Sequence, residues 1–120
     1  MNQKQLEGKL GENEATKYLE DLGYEIICNN FSCMQGEIDI IAKDGRELVF
    51  VEVKTRTSKK YGEAKEAVNK NKQMHIKNAV KYYLYKNKLE NALVRIDVIE
   101  VYLKKEVIII NHIKQAVDEI

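Results

Sequence analysis

The chain is predicted to fold as an α/β domain in which a central sheet of about five strands is flanked by two helices. Three observations lead there. Segments of helical period alternate with short apolar runs in the order helix, three strands, helix, two strands. An Asp44-Gly45 pair separates two of those runs and reads as a tight hairpin turn. The 120 residues, 44% hydrophobic and 32% charged, suffice for one core and are too few for two domains of usual size, so residues 1–120 are expected to form a single domain. Periodicity does not fix the strand order, so the mixed pairing of the sheet rests on the motifs below.

Gln3 to Leu22 reads as the first helix, stopped by Gly23 as its C-terminal cap. Gly8, Gly11, Ala15, Tyr18, Leu19 and Leu22 form one stripe, and the small residues in it are expected to let the helix backbone approach the sheet. Glu12 falls at the stripe's edge, whereas Glu7 and Glu14 point elsewhere, so it is the helix acid placed to reach a site on the sheet. The structural alternative is an exposed first-turns carboxylate favoured by the helix dipole. Tyr24 to Phe31 reads as a strand, Ser32 to Gln35 as a turn, and the hairpin follows. A polar loop from Thr55 to Gly62 leads to a helix ending near Asn87, on which Lys72, Ile76, Ala79 and Tyr83 share a face flanked by Val80 and Leu84. Leu93 to Leu103 and Glu106 to Ile113 read as the last strands, with Lys104-Lys105 at their turn.

Within the hairpin the polar residues fall in phase. With Asp44-Gly45 as a two-residue loop, Lys43 faces Arg46 and Asp39 faces Phe50. Asp39, Glu52 and Lys54 then share one face, with Glu37 beside them, and Ile38, Ile40, Ala42, Val49, Val51 and Val53 share the other. A bulge would break this parity. Carboxylates inside apolar strands need a partner, because burying an unpaired one is costly. A divalent metal with a phosphate-facing lysine supplies it, which is the arrangement of a metal-dependent nuclease.

Asp39 followed on the next strand by Glu52-Val53-Lys54 resembles the PD-(D/E)xK nuclease superfamily, whose signature is an acid, a hairpin and E-x-K. More narrowly, the chain resembles the YraN-like family, related to archaeal Holliday-junction resolvases. The resemblance extends to Gly11-Glu12, Ala15, Gly23-Tyr24, Gly36-Glu37-Ile38-Asp39, Phe50 to Lys54, Tyr61-Gly62, Lys72 and Arg95-Ile96-Asp97-Val98. Ile38 stands where the superfamily name places proline, and the chain contains none. With the element order, the resemblance implies a mixed sheet in a restriction-endonuclease-like, resolvase-like core.

The implied chemistry is endonucleolytic hydrolysis of phosphodiester bonds in structured or branched DNA, in the service of DNA repair or recombination. Asp39 and Glu52, with the Val53 carbonyl, are expected to bind Mg²⁺ or Mn²⁺, since hard oxygen ligands with retained waters suit Mg²⁺. Lys54 is expected to stabilise the attacking hydroxide and the developing charge, and Glu12 to orient a metal-bound water. Glu37 is a weaker candidate.

The net charge of +1 gives no global signal of nucleic-acid binding. Lys54 to Lys72 is nonetheless locally basic: either Arg56, Lys59, Lys60 and Lys72 hold phosphates, or the segment is a solvated loop and helix start with Lys72 snorkelling to water. DNA is the expected partner, with RNA as a second possibility, and a two-fold-symmetric junction as substrate would call for a homodimer. Arg95 and Asp97 share a strand face, either as a structural ion pair or facing the site. Two cysteines, Cys28 and Cys33, with no zinc-type spacing, and no signal-peptide or membrane-spanning run, lead to the expectation of a cytoplasmic protein with reduced thiols. His75 and His112 receive no role. Two other classes stay open: a non-catalytic nucleic-acid-binding module with a degenerate site, and a structural adaptor in which Asp39 pairs with Lys54.

Overall fold

In the computed structural model, which describes residues 1–57 and 70–117, the apolar runs form the five expected strands. The order is α1 (Gln3–Asp21), β1 (Glu25–Cys33), β2 (Gly36–Asp44), β3 (Glu47–Arg56), α2 (Lys70–Lys86), β4 (Leu93–Leu103) and β5 (Ile108–Val117). The strands lie side by side in sequence order. Every neighbouring pair is antiparallel except β3 and β4, which run parallel. Parallel neighbours need a crossover, and α2 lies within it. The sheet is therefore mixed, as the motifs implied.

Both faces of the sheet are covered. On one, Ala15 and Leu19 of α1 pack on Ile40, Ala42, Val49, Val51, Ile99 and Val101. On the other, Ile76, Ala79, Val80 and Leu84 of α2 pack on Ile38, Ile41, Phe50 and Ile96, with Tyr83 set edge-on against Phe50. Two-sided cover explains why β2 and β3 are apolar along most of their length instead of strictly alternating.

Helix α1 begins at Asn2, whose side chain accepts from the Gln5 amide while the Gln5 side chain accepts from the Asn2 amide. It ends at Gly23, whose φ of 93° a residue with a Cβ would adopt only under strain. Of the small residues in its stripe, Gly11 makes the close approach: a Cβ there would collide with the Thr55 side chain on β3. Gly8 does not, because no atom lies within 4 Å of a Cβ built on it. Leu22, expected in the stripe, is 53% exposed, since the chain has already turned away to enter β1.

Three expectations from the hairpin and strand ends are corrected. The turn is Gly45-Arg46, with Asp44 paired to Glu47 and Lys43 to Leu48. Gly45 supplies the positive φ, 61°, at the first turn position, and Asp44 stays in the strand because it and Glu47 bracket the Arg95 guanidinium at 3.3 and 2.9 Å. The two-residue shift preserves the parity of Asp39 and Glu52. Ile38, however, packs with Ile41 and Phe50 on the α2 face, not with Ile40 on the α1 face. Regular alternation is thus broken at Asp39, opposite Asn30, which has a φ of 57°. Finally, β5 begins later and runs four residues further than expected. It bulges where residues 114–116 face Asp97 alone, and the Gln115 amide donates to the Asp97 carboxylate at 3.0 Å.

Asp97 is fully buried in the middle of β4 and organises a polar network that Arg95 carries to the hairpin residues Asp44 and Glu47. Arg95 donates to both its oxygens, at 2.9 and 3.1 Å, and also to the Tyr24 hydroxyl at 2.7 Å. His112 Nε2 lies 2.7 Å from Asp97, and its Nδ1 lies 3.0 Å from the Tyr18 hydroxyl. Burial alone would raise the Asp97 pKa, but hydrogen bonds from His112, Arg95 and the Gln115 amide outweigh it and hold the carboxyl below its ordinary range. The Arg95–Asp97 pair is therefore structural.

Two stability predictions follow from this packing. Gly8→Ala should raise the melting temperature, since helix propensity gains about 0.8–1 kcal/mol at no steric cost. Gly11→Ala should lower it, because overpacking against Thr55 costs about 1–3 kcal/mol; thermal melts of the two variants decide. In a denaturant titration, Asp97→Ala should cost about 3 kcal/mol or more by leaving Arg95 buried without its main counter-ion. Asp44→Ala, at an exposed partner of the same arginine, should cost about 1 kcal/mol or less.

Candidate active site

The candidate residues gather where β2 and β3 part, at a level of the sheet where Glu52 is paired with Val98, one residue on from Asp97. The β2–β3 ladder runs to Ile40 and Val51. Beyond it the Val53 amide donates at 2.8 Å to Asp39 Oδ2, so a side chain takes the place of a backbone acceptor. That bond orients the Asp39 carboxylate in the mouth between the strands.

Glu12 and Glu52 approach Asp39 from different helix layers. Glu12, on α1, lines with Asp39 and Val53 an open groove of about 1080 Å³ that runs past Asn13, Thr16 and Asn29. Glu52 lines with Asp39 a recess of about 270 Å³ on the α2 side, together with Lys72 and His75. Glu37 borders both. The expectation that the polar groups share one face of the hairpin is thus refined: Asp39 lies between the two sides.

Burial, then the charge of Glu52, push the Asp39 carboxyl up to about 7, against the favourable Val53 amide. Glu12 is also raised, by burial first and by Glu37 and Glu52, with the contact to Asp39 acting in the opposite sense. The cations stand on Glu52: Lys54 and Lys72 both place Nζ 3.1 Å from its Oε1. Burial, followed by the neighbouring Lys72, holds Lys54 below the ordinary lysine range. Burial would lower Lys72 as well, but its contact with Lys54 and the attraction of Glu52 and Asp39 leave it raised. Lys54 accordingly pairs with Glu52, and the Asp39–Lys54 pair of the adaptor reading is not formed.

Among the described residues no three His, Cys, Asp or Glu side chains converge as a ready-made metal-binding group. Asp39 and Glu52 still fit a magnesium-type ion by the chemistry of the donors. They are two hard carboxylates, one of them raised by burial and then by the charge of the other, and Mg²⁺ is commonly held by one or two carboxylates with waters filling the other positions.

Arg56 is half-buried at the end of β3, and its Nε has no hydrogen-bond partner among the described residues. Lys59, Lys60 and the Tyr61-Gly62 pair lie outside the described residues. Sequence reasoning missed His75, although its position three residues after Lys72 on one helix was a usable signal. It also missed Glu100, which is 2% exposed on β4 beside Lys54, with Oε1 accepting from Asn111 at 2.6 Å and Oε2 without a hydrogen bond among the described residues. No local pattern marks that position, because the parallel β3–β4 pairing creates it.

The family model described as "Uncharacterised protein family UPF0102" matches residues 11–101, which include Glu12, Asp39, Glu52, Lys54 and Lys72. A UPF0102 protein of Caldicellulosiruptor saccharolyticus is 48% identical over 118 residues, covering 97% of this chain and 99% of its own. One from Syntrophus aciditrophicus is 48% identical over 116 residues, covering 97% and 91%. A solved structure titled "Crystal structure of SSO0001" is 19% identical over 94% of this chain and 52% of its own, with a TM-score of 0.36, a likeness too slight to bear on function. Matched over most of its length by that model and by relatives near half identity, the chain belongs to the UPF0102 family, the YraN family to which its motifs point.

Proposed function

We propose that the chain is a metal-dependent endonuclease acting on phosphodiester bonds of structured DNA. The observation that carries this reading is the Asp39–Glu52 pair: two carboxylates held together where the strands part, one raised to about 7, with two lysines within 3.1 Å of the other. A purely structural sheet would not gather like charges in this way, since burial and then the Glu52 charge both work against ionising Asp39.

Asp39, Glu52 and the Val53 carbonyl would hold Mg²⁺ or Mn²⁺, which when bound supplies Lewis-acid polarisation of the phosphate and a more acidic water. The chain's own residues do the remaining work. The Val53 amide fixes the Asp39 rotamer. Lys54, with its side chain 14% exposed, offers a partly desolvated ammonium where charge develops on the phosphate oxygens. Lys72 sits on the same Glu52 oxygen, and as the more exposed of the two amines it is the one placed to meet an incoming phosphate. Glu12 reaches Asp39 from α1 and would orient a water in the groove. Arg56, Lys59 and Lys60 would hold flanking phosphates. A homodimer is expected if the substrate is a two-fold-symmetric junction, and the cytoplasm is the proposed location. Among the described residues no helix is long and apolar enough to cross a membrane.

The raised Asp39 carboxyl makes its charge a liability without metal. Its ionisation in the folded state is postponed from the ordinary 3.8 to about 7, so stability from this group is lost as pH rises through that window. In chelator, Asp39→Asn should therefore melt close to wild type near pH 4 and above it at pH 8. Millimolar Mg²⁺ or Mn²⁺ should raise the wild-type melting temperature and leave the variant nearly unmoved. Failure of either ion to shift the wild type, with or without nucleic acid, sinks the metal reading.

Glu52→Gln should lose cleavage by orders of magnitude on a panel of branched and linear DNA substrates, yet bind DNA in chelator as well as wild type or better. Lys54→Ala should lose cleavage and keep the metal-induced thermal shift, because lysine is no ligand. Undiminished cleavage by Glu52→Gln would transfer the activity elsewhere and favour the non-catalytic reading.

A further inference from the structure

We infer that a cleft beside the candidate active site receives an unpaired nucleobase, so that the substrate carries an unstacked nucleotide next to the bond to be cut. The inference rests on the nuclease reading above and narrows its substrate class.

The cleft lies on the α2 side, past the β1–β2 turn. Phe31 of β1 is anchored edge-on against Tyr83, with ring centroids 5.3 Å apart at 88°. Its ring also faces Tyr82, one helix residue earlier, at 6.4 Å and 32°. Tyr83 belongs to the core packing, but Tyr82 does not. Lys86, one turn along α2, places Nζ 5.8 Å from the Tyr82 ring centroid. Phe31, Tyr82 and Lys86 line a cleft of about 310 Å³ with the β1–β2 turn, where Met34 is fully exposed at the rim.

Continuity with the acids gives the cleft its meaning. Phe31 and Ser32 also line a recess of about 240 Å³ that contains Glu37 and Asp39. A chain with its phosphate at Asp39 and Glu52 thus meets aromatic rings and a cation at the next opening. Two half-buried rings set at 32° suit a planar heterocycle, Lys86 suits the phosphate attached to it, and a flexible methionine can close over an apolar face. In an intact duplex the base faces are occupied by their neighbours; a base outside the stack offers its face freely. The cleft admits a single ring system and is too small for a duplex. The ordinary alternative, rings that merely cover the edge of the core, accounts for Phe31 and Tyr83. It leaves Tyr82 and Lys86, outside the core, without a purpose.

The test is binding in chelator, where no cutting intervenes. Three labelled DNAs serve as probes: a paired duplex, the same duplex with one extra 2-aminopurine nucleotide, and the same bulge made abasic. The wild type should bind the bulged duplex roughly tenfold more tightly than the paired one, the scale of one base–aromatic stack. It should quench the 2-aminopurine emission and lose the preference on the abasic probe. Tyr82→Ala should abolish preference and quenching while Tyr82→Phe keeps both; if Tyr82→Ala does not fold, wild-type quenching and the abasic comparison decide. Equal affinity for paired and bulged duplexes, or unquenched emission, overturns the inference. Metal-dependent cleavage alongside such indifference leaves the nuclease reading standing, whereas absence of binding to all three DNAs removes both.

Discussion

The bond from the Val53 amide to the Asp39 carboxylate is where this sheet stops being only a scaffold. Up to Ile40 and Val51 the second and third strands satisfy each other's backbone groups. One residue further, a carboxylate accepts what a carbonyl would have accepted. The substitution spares the Val53 amide the cost of burial without a partner and holds an acid between the two helix layers. Glu12 from one layer and Glu52 with Lys72 from the other then converge on a point fixed by β2. Without that bond Asp39 would have no set rotamer, and the acids would have no shared focus.

Two neighbouring regions of the sheet treat buried charge in opposite ways. On β4, Asp97 is surrounded by His112, Arg95 and the Gln115 amide, and its carboxyl is lowered. Where β2 and β3 part, burial and then the neighbouring acids raise the Asp39 carboxyl to about 7. The first arrangement is a completed network of the kind that fixes one packing. The second is left in tension, and perturbed groups of that kind concentrate at functional sites. The contrast within one small sheet makes the choice between structure and function a physical one.

Much of this was legible in the sequence because it depends on local parity. Asp39, Glu52 and Lys54 could be phased from the hairpin alone, and the error of two residues in its turn did no harm, since a shift of two preserves the face. Lys72 was legible from its spacing to Ile76 and Ala79. The break at Asp39 was not, because it depends on the positive φ of Asn30 on the strand alongside, and nothing within β2 announces it. His112 and Glu100 were illegible for a related reason. Their partners, Asp97 and Tyr18 for one and Asn111 for the other, are brought together by bulges and strand pairings between distant segments.

The parallel pairing of β3 with β4 has a kinetic side. Strands β1, β2 and β3 are consecutive and antiparallel, so they can associate through short loops. Joining β4 to β3 instead requires the whole stretch from Arg56 to Leu93 to be looped out, and such non-local closures are the slow events in folding. Lys72 travels within that stretch. The early three-strand meander therefore brings Asp39 and Glu52 together before α2 docks its lysine on them. In that meander Lys54 already stands on Glu52, and the docking of α2 adds Lys72 as a second cation on the same oxygen.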